Sequence, residues 1–321
     1  MHYLRSVCAK ACALAFCLLL SIPLCSQDTH LLLDEEPIDD LDTLSLFQLI
    51  DSLLLLEASR TSQFSLHIGY TSEVSNAGRT LEVKQYGFNP GISYFHKSGI
   101  YADVTGYWNS QLDPNYDLTV VSVGYLGVLS KVFTYTVSYD HSFFTEPNPQ
   151  LDLPPRIIEL LLPPLLTNTI SGGLDADFNH IEFSTDYAFL FNEESAHRLQ
   201  FALTGDFKKS GFWFLDRVSL RPSASVLLGN QDIISISYSP NTLADTRFPF
   251  VIEESNAFGV MNYQLSVPLS LSKGKFLLVF DYNYNIPQSL PGEKYDYENN
   301  SFFSLDLYYS FAIGSKKSIF E

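Results

Sequence analysis

The chain has 321 residues and a formal net charge of −17, with 14% aromatic and 17% charged residues. A soluble globular chain averages about 25% charged, and neutralising phosphates takes clustered Lys and Arg, so nucleic acid is excluded as a partner. Beyond Leu24 no apolar run is long enough for a spanning helix of about 20 residues. A chain this poor in charge, with 19 Tyr and 25 Phe, would therefore meet lipid through strands.

The N-terminus reads as a secretory signal peptide over residues 1–26. Arg5 and Lys10 give the basic start, Ala11 to Leu20 the apolar centre, and Ser21 to Ser26 the cleavage region. All four cysteines (Cys8, Cys12, Cys17, Cys25) fall in this stretch, so the mature chain is expected to have no disulfide, thiolate metal site or cysteine nucleophile. Leu24 stands where a lipoprotein signal needs a small residue, which argues against lipidation of Cys25.

Residues 27–60 are an acidic periplasmic leader. Nine acids (Asp28, Asp34, Glu35, Glu36, Asp39, Asp40, Asp42, Asp51, Glu57) occur there without a Lys or Arg before Arg60. Ser45 can cap one helix, with Leu46, Phe47, Leu49, Ile50, Leu53, Leu54 and Leu56 on its apolar face. Such a face packs against the barrel mouth in the simplest case; a plug or a docking helix is the sharper alternative.

From residue 61 to 321 the apolar period is two. Phe303, Leu305, Leu307, Tyr309, Phe311 and Ile313 alternate with Ser304, Asp306, Ser310 and Ala312. The same alternation runs through Phe133 to Asp140, Ile181 to Phe191 and Phe276 to Tyr284, giving one greasy and one small-polar face. A soluble sandwich alternates too, but its strands have a mode of about 5–6 residues, against the roughly 9–11 that a tilted membrane strand needs. These runs have the longer length, so the predicted fold is all-β, a transmembrane antiparallel β-barrel with a short N-terminal helix. Thirteen alternating segments can be counted, beginning near Gln63, Gln85, Ile100, Asp117, Val132, Asn168, His180, His197, Asp216, Asp232, Phe258, Lys275 and Ser301. Bacterial single-chain barrels have an even strand number, so the expectation is 12 or 14, with the ambiguity placed between His197 and Asn230.

Tight turns at Lys97 to Gly99, Ser130-Lys131 and Ser272 to Gly274 suit the periplasmic end. Long connections are expected at Thr145 to Thr167, Pro240 to Ala257 and Pro287 to Asn300. In the first, Pro154, Pro155, Pro163 and Pro164 bracket the apolar Ile157 to Leu162, marking a lid or docking element. The signal peptide, the acidic leader with its Ser45 to Leu54 helix (Ser-Leu-Phe-Gln-Leu-Ile-Asp-Ser-Leu-Leu) and the Tyr-rich strands together resemble uncharacterised outer-membrane β-barrel proteins of Bacteroidota. That resemblance implies the fold and a place in the cell outer membrane, and carries over no site residue. A TonB-dependent receptor with its plug domain and a peptidoglycan-anchored barrel are not expected.

The histidines His30, His67, His96, His141, His180 and His197 show no metal-ligand spacing, and no phosphate loop or nucleophile elbow occurs. No catalytic, cofactor-binding or metal-ligating residue is expected, and no cofactor. Asp140-His141-Ser142 raises the thought of a lipid-modifying hydrolase, but neighbours on a strand point to opposite faces. By the same alternation Asp103, Asp140, Glu182, Asp186, Asp281 and Asp306 point inward with Arg221, as candidate lumen-lining residues. Such a lining favours cations in a wet pore. The reading is therefore a passive channel or transporter for small solutes, with a closed structural or interaction barrel as the alternative. Expected partners are outer-membrane lipid, the barrel assembly machinery, and another envelope protein reached through the leader helix or the 145–167 loop.

Overall fold

A computed structural model describes residues 62–313, apart from 75–76, 78–84, 111–114, 146–165, 193, 239–249 and 294–295. The predicted signal peptide, the leader and its helix, and the apolar Ile157 to Leu162 run lie outside the described residues.

All regular structure among them is strand: β1 (Ser62–Thr71), β2 (Gly87–Phe95), β3 (Ile100–Asn109), β4 (Tyr116–Val128), β5 (Phe133–Phe144), β6 (Asn168–Asp177), β7 (Ile181–Phe191), β8 (Ser195–Gly205), β9 (Phe207–Phe212), β10 (Leu215–Leu220), β11 (Ser223–Tyr238), β12 (Phe250–Ser266), β13 (Leu269–Lys273), β14 (Phe276–Pro287) and β15 (Asn300–Ile313). Every pairing is antiparallel, and the first strand pairs with the last over ten positions, from Ser62↔Ile313 to Thr71↔Ser304. With β12 also paired to β14, the sheet closes on itself.

Fifteen segments make twelve wall strands, because three strands are each interrupted once. β8 runs on into β9 past Asp206, β10 into β11 past Arg221-Pro222, and β12 into β13 past Val267-Pro268. The ladder continues through the gaps, as Gly205 N–H donates to Pro222 O and Val267 N–H to Tyr282 O. Proline has no N–H to give the ladder, which accounts for two of the three interruptions falling at Pro222 and Pro268.

The barrel thus has the smaller of the two expected strand numbers. The thirteenth segment came from a single strand of double length. Asp232 does not begin a strand but lies within β11, which pairs with β12 as far as Tyr238↔Phe250. Phe258 likewise lies inside β12, so that the long connection before it is 239–249 and ends earlier than Ala257. Gly205 to Asp216 is strand rather than loop, forming the β9–β10 hairpin.

Alternation then sorts the side chains. On the outside, Leu66, Ile68, Ile92, Val104, Val123, Val137, Ile170, Phe183, Leu203, Phe280, Leu305 and Leu307 are all exposed. Aromatic residues gather at both rims: Tyr70, Phe88, Trp108 and Tyr116 at the end of the long connections, Phe276, Tyr309 and Phe311 at the end of the tight turns. Water would make this exterior costly at about 25 cal/mol per Å² of apolar area; hydrocarbon would not. We expect Leu305→Arg to block assembly, since Arg on the lipid face near mid-bilayer costs roughly 2–4 kcal/mol. Ser304→Arg, one residue away beside Asp281 in the register, should still refold. Heat-modifiable migration in a detergent gel reads the difference, and equal refolding of both would contradict the assignment of the two faces.

Candidate functional site

The inward face is built mainly from small polar residues. One row crosses the wall through directly opposed positions: Ser310, Ser65, Ser93, Asp103, Ser122 and Asp140 on six successive strands. All six are buried, and their polar atoms are spent on one another. Ser310 Oγ donates to Ser65 Oγ at 3.1 Å. Ser93 Oγ donates to Asp103 Oδ1 at 2.5 Å and Thr105 Oγ1 to Asp103 Oδ2 at 2.6 Å. His67 Nε2 lies 3.1 Å from the same Thr105 hydroxyl. Asp140 stands opposite Ser122, whose hydroxyl interacts with it, and accepts a long bond from Ser138 Oγ at 3.4 Å.

A second group sits on β12, β14 and β15. Asp281 accepts from Ser266 Oγ at 2.8 Å and from Asn283 Nδ2 at 3.0 Å. An amide chain continues it, with Asn262 Nδ2 donating to Asn285 Oδ1 at 3.0 Å and Asn285 Nδ2 to Asn300 Oδ1 at 2.9 Å. Asp306 lies beside Gly69, where a Cβ would come within 2.3 Å of its Oδ1. The third group is on β7 and the β10–β11 junction. Arg221 meets Glu182 at 2.7 Å, with both side chains largely buried, and Asp186 stands opposite Gln200.

The seven positions singled out from the sequence therefore occupy one face but form three groups around the wall, not one cluster. Sequence reading missed His67 and Arg198, which share that face; Arg198 donates to the backbone oxygen of Asn230 at 2.5 Å. Counting parity from a fixed buried residue would have found both, since His67 is in phase with Ser65 and Arg198 with Ala196. Among the described residues no group of three or more His, Cys, Asp or Glu is arranged to hold a metal ion. His141 projects outward, its Nδ1 2.9 Å from Asn168 Oδ1 and its ring against Phe143. Ser142 is on the opposite face, so the two do not form a nucleophile and base.

Large inward side chains lie flat along the wall. The Tyr101 ring covers Gly124 so closely that a Cβ there would stand 2.4 Å from it, and Tyr101 is fully buried. His67 covers Gly91 in the same way, at 2.3 Å. Glycine at these two positions supplies recesses that hold bulky groups against the sheet rather than across the interior.

No protein-family model and no curated protein matches the chain. Similar solved structures include a KdgM porin, with a TM-score of 0.41 and 10% identity over 77% of this chain and 99% of that one. LpxR from Salmonella typhimurium overlaps with a TM-score of 0.39 and 11% identity, covering 76% and 99%. The translocator domain of autotransporter NalP from Neisseria meningitidis does so with 0.39 and 10%, covering 84% and 95%.

The Glu182–Arg221 pair gives a direct test of the wall's electrostatics. Removing one member of a buried pair leaves an uncompensated charge, at a cost of about 3 kcal/mol. Arg221→Ala should accordingly lower the urea midpoint of refolded protein, and adding Glu182→Gln to it should restore most of the loss. No recovery in the double variant would show that Arg221 acts by packing alone.

Proposed function

We propose that the protein is a passive channel of a bacterial outer membrane, admitting small solutes and favouring cations. The membrane setting is supported by the exposed apolar exterior and its two aromatic rims. An eight-stranded barrel is just filled by its own side chains, and interior width grows with strand number. Twelve strands with Gly, Ser, Ala and Asn on much of the inner face support a wider interior than that of an eight-stranded barrel. The observation that carries the reading is the seating of Tyr101 and His67 in glycine recesses, which lays two large groups along the sheet; on the same inner face Tyr308 packs with Leu277, Val279 and Phe95 as an apolar cluster. Preference for cations follows from the count of inward charges among the described residues: carboxylates at 103, 140, 175, 182, 186, 206, 281 and 306 against Arg198, Lys208, Arg217 and Arg221.

A closed barrel that binds envelope components is the second reading, and one observation favours it. Leu290, from the connection after β14, is buried against Ala257 and Met261 inside the end of the long connections, with Ala77 and Leu227 packed alongside. That contact covers part of the mouth.

Refolded protein in a planar bilayer separates the two. A channel gives discrete conductance steps and, in a salt gradient, a reversal potential of the sign for cations. Asp103→Asn with Asp306→Asn should move that potential toward zero while keeping the hydrogen-bonded wall. Gly124→Val should lower the step size, because the new side chain drives Tyr101 off the wall. Absence of steps from correctly folded wild-type protein would favour the closed barrel.

A further inference from the structure

Charge is distributed unevenly along the barrel axis. All six lysines among the described residues, Lys97, Lys131, Lys208, Lys209, Lys273 and Lys275, are exposed and stand at or beside four of the five tight turns. This is the end where β1 begins and β15 ends. At the opposite end the described connections carry Glu73, Glu194, Glu293, Asp296 and Glu298. For a chain of net charge −17, a collar holding five of the six described lysines, with Asp177 and Asp216 as the exposed acids at the same end, is a local reversal of sign.

The lysines are set among exposed aromatic rings. Lys209 Nζ is 5.0 Å from the Phe212 ring centroid, Lys273 Nζ 5.5 Å from that of Phe214, and Lys275 Nζ 6.0 Å from that of Tyr309. Between them the β9–β10 hairpin presents Trp213, 88% exposed. Two ties fix the hairpin to the neighbouring turn: Lys273 Nζ donates to Phe214 O, and Gly274 N–H donates to Asp216 Oδ2 at 2.6 Å. Lys208 stands opposite buried Ser219 on the inward face and pairs with Asp206, so it is not part of the collar; the other five have no carboxylate partner at salt-bridge distance among the described residues.

We infer that this basic, aromatic collar binds the headgroups of anionic phospholipid in the leaflet at the tight-turn end. Aromatic bodies sit at the level where acyl chains meet headgroups, and lysine stems reach outward so that their ammonium groups meet phosphate. In a bacterial barrel the tight turns are periplasmic, so the leaflet is the periplasmic one. The acidic opposite end would repel the same headgroups. The inference rests on the membrane reading proposed above.

The chain has two tryptophans, one at each rim: Trp108 beside Tyr116 at the long-connection end and Trp213 in the collar. Trp108→Phe and Trp213→Phe therefore each leave a single reporter. Each is refolded into vesicles of phosphatidylcholine and phosphatidylglycerol in equal parts, with bromine on the acyl chains of one lipid or the other. Brominated phosphatidylglycerol should quench Trp213 more than brominated phosphatidylcholine, by the fewfold preference expected when a lysine near an anionic surface contributes a factor of about five. Trp108 should show no such preference. Lys209→Gln, Lys273→Gln and Lys275→Gln together should abolish it at Trp213. If that variant does not refold, raising the salt concentration on the Trp108→Phe protein must do the same, because exposed charges are screened. Equal quenching of Trp213 by both lipids, or a preference that survives both treatments, overturns the collar. Failure of either lipid to quench either tryptophan overturns the membrane reading, and the collar with it.

Discussion

Closure is the constraint on which everything else depends. Inside hydrocarbon an unpaired backbone N–H or C=O costs several kcal/mol, and a sheet with free edges has a whole row of them. The ten opposed positions joining β1 to β15 remove both edges at once. That join also fixes the phase of every side chain, because a slip of one residue anywhere would exchange the two faces. The bulges between β3 and β4 and between β11 and β12 are local; in β12 the extra residue changes the sequence parity of the buried side, from Ala257 and Met261 to Asn262 and Ser266, while the same face of the sheet stays buried. Met261 and Asn262, consecutive and both buried, mark the second of these.

Given closure, the inner wall has a packing problem of its own. A row of serines and carboxylates must satisfy its polar atoms with little water against the sheet, and it does so laterally, through Asp103 and Asp281 as acceptors and the Asn262, Asn285 and Asn300 amides as a chain. Small residues are what allow this. Tyr101 and His67 are seated on glycines of the neighbouring strands, whereas Tyr308, Leu277, Val279 and Phe95 pack on one another as an apolar cluster. The same choice of small residues that satisfies the hydrogen bonds is the feature on which the proposed channel rests.

The period of two was the most legible feature of the sequence, and it was enough to assign the barrel and to place Asp103, Asp140, Glu182, Asp186, Arg221, Asp281 and Asp306 in one phase of the alternation. Strand number was harder to read, for a physical reason. Leu215 to Tyr238 is one wall strand, but Pro222 interrupts its pattern and its length is far beyond the usual span, so its second half resembled a strand of its own. The grouping of the charged residues into three sets could not be read at all, since it depends on register between strands. Tyr101 over Gly124 was hidden for the same reason: the two lie on adjacent strands and far apart in the chain.

The central claim is that each strand turns one face to lipid and the other to a polar interior. It is tested most directly by spin labels on single cysteines at positions 302 to 307 of β15. All four native cysteines lie at or before Cys25, so their replacement by serine leaves the introduced label alone. In refolded protein in bilayers, labels at 303, 305 and 307 should collide with dissolved oxygen, which concentrates in hydrocarbon. Labels at 302, 304 and 306 should collide instead with a water-soluble nickel chelate. Accessibility that fails to alternate, or that shows nickel at every position, would contradict the account.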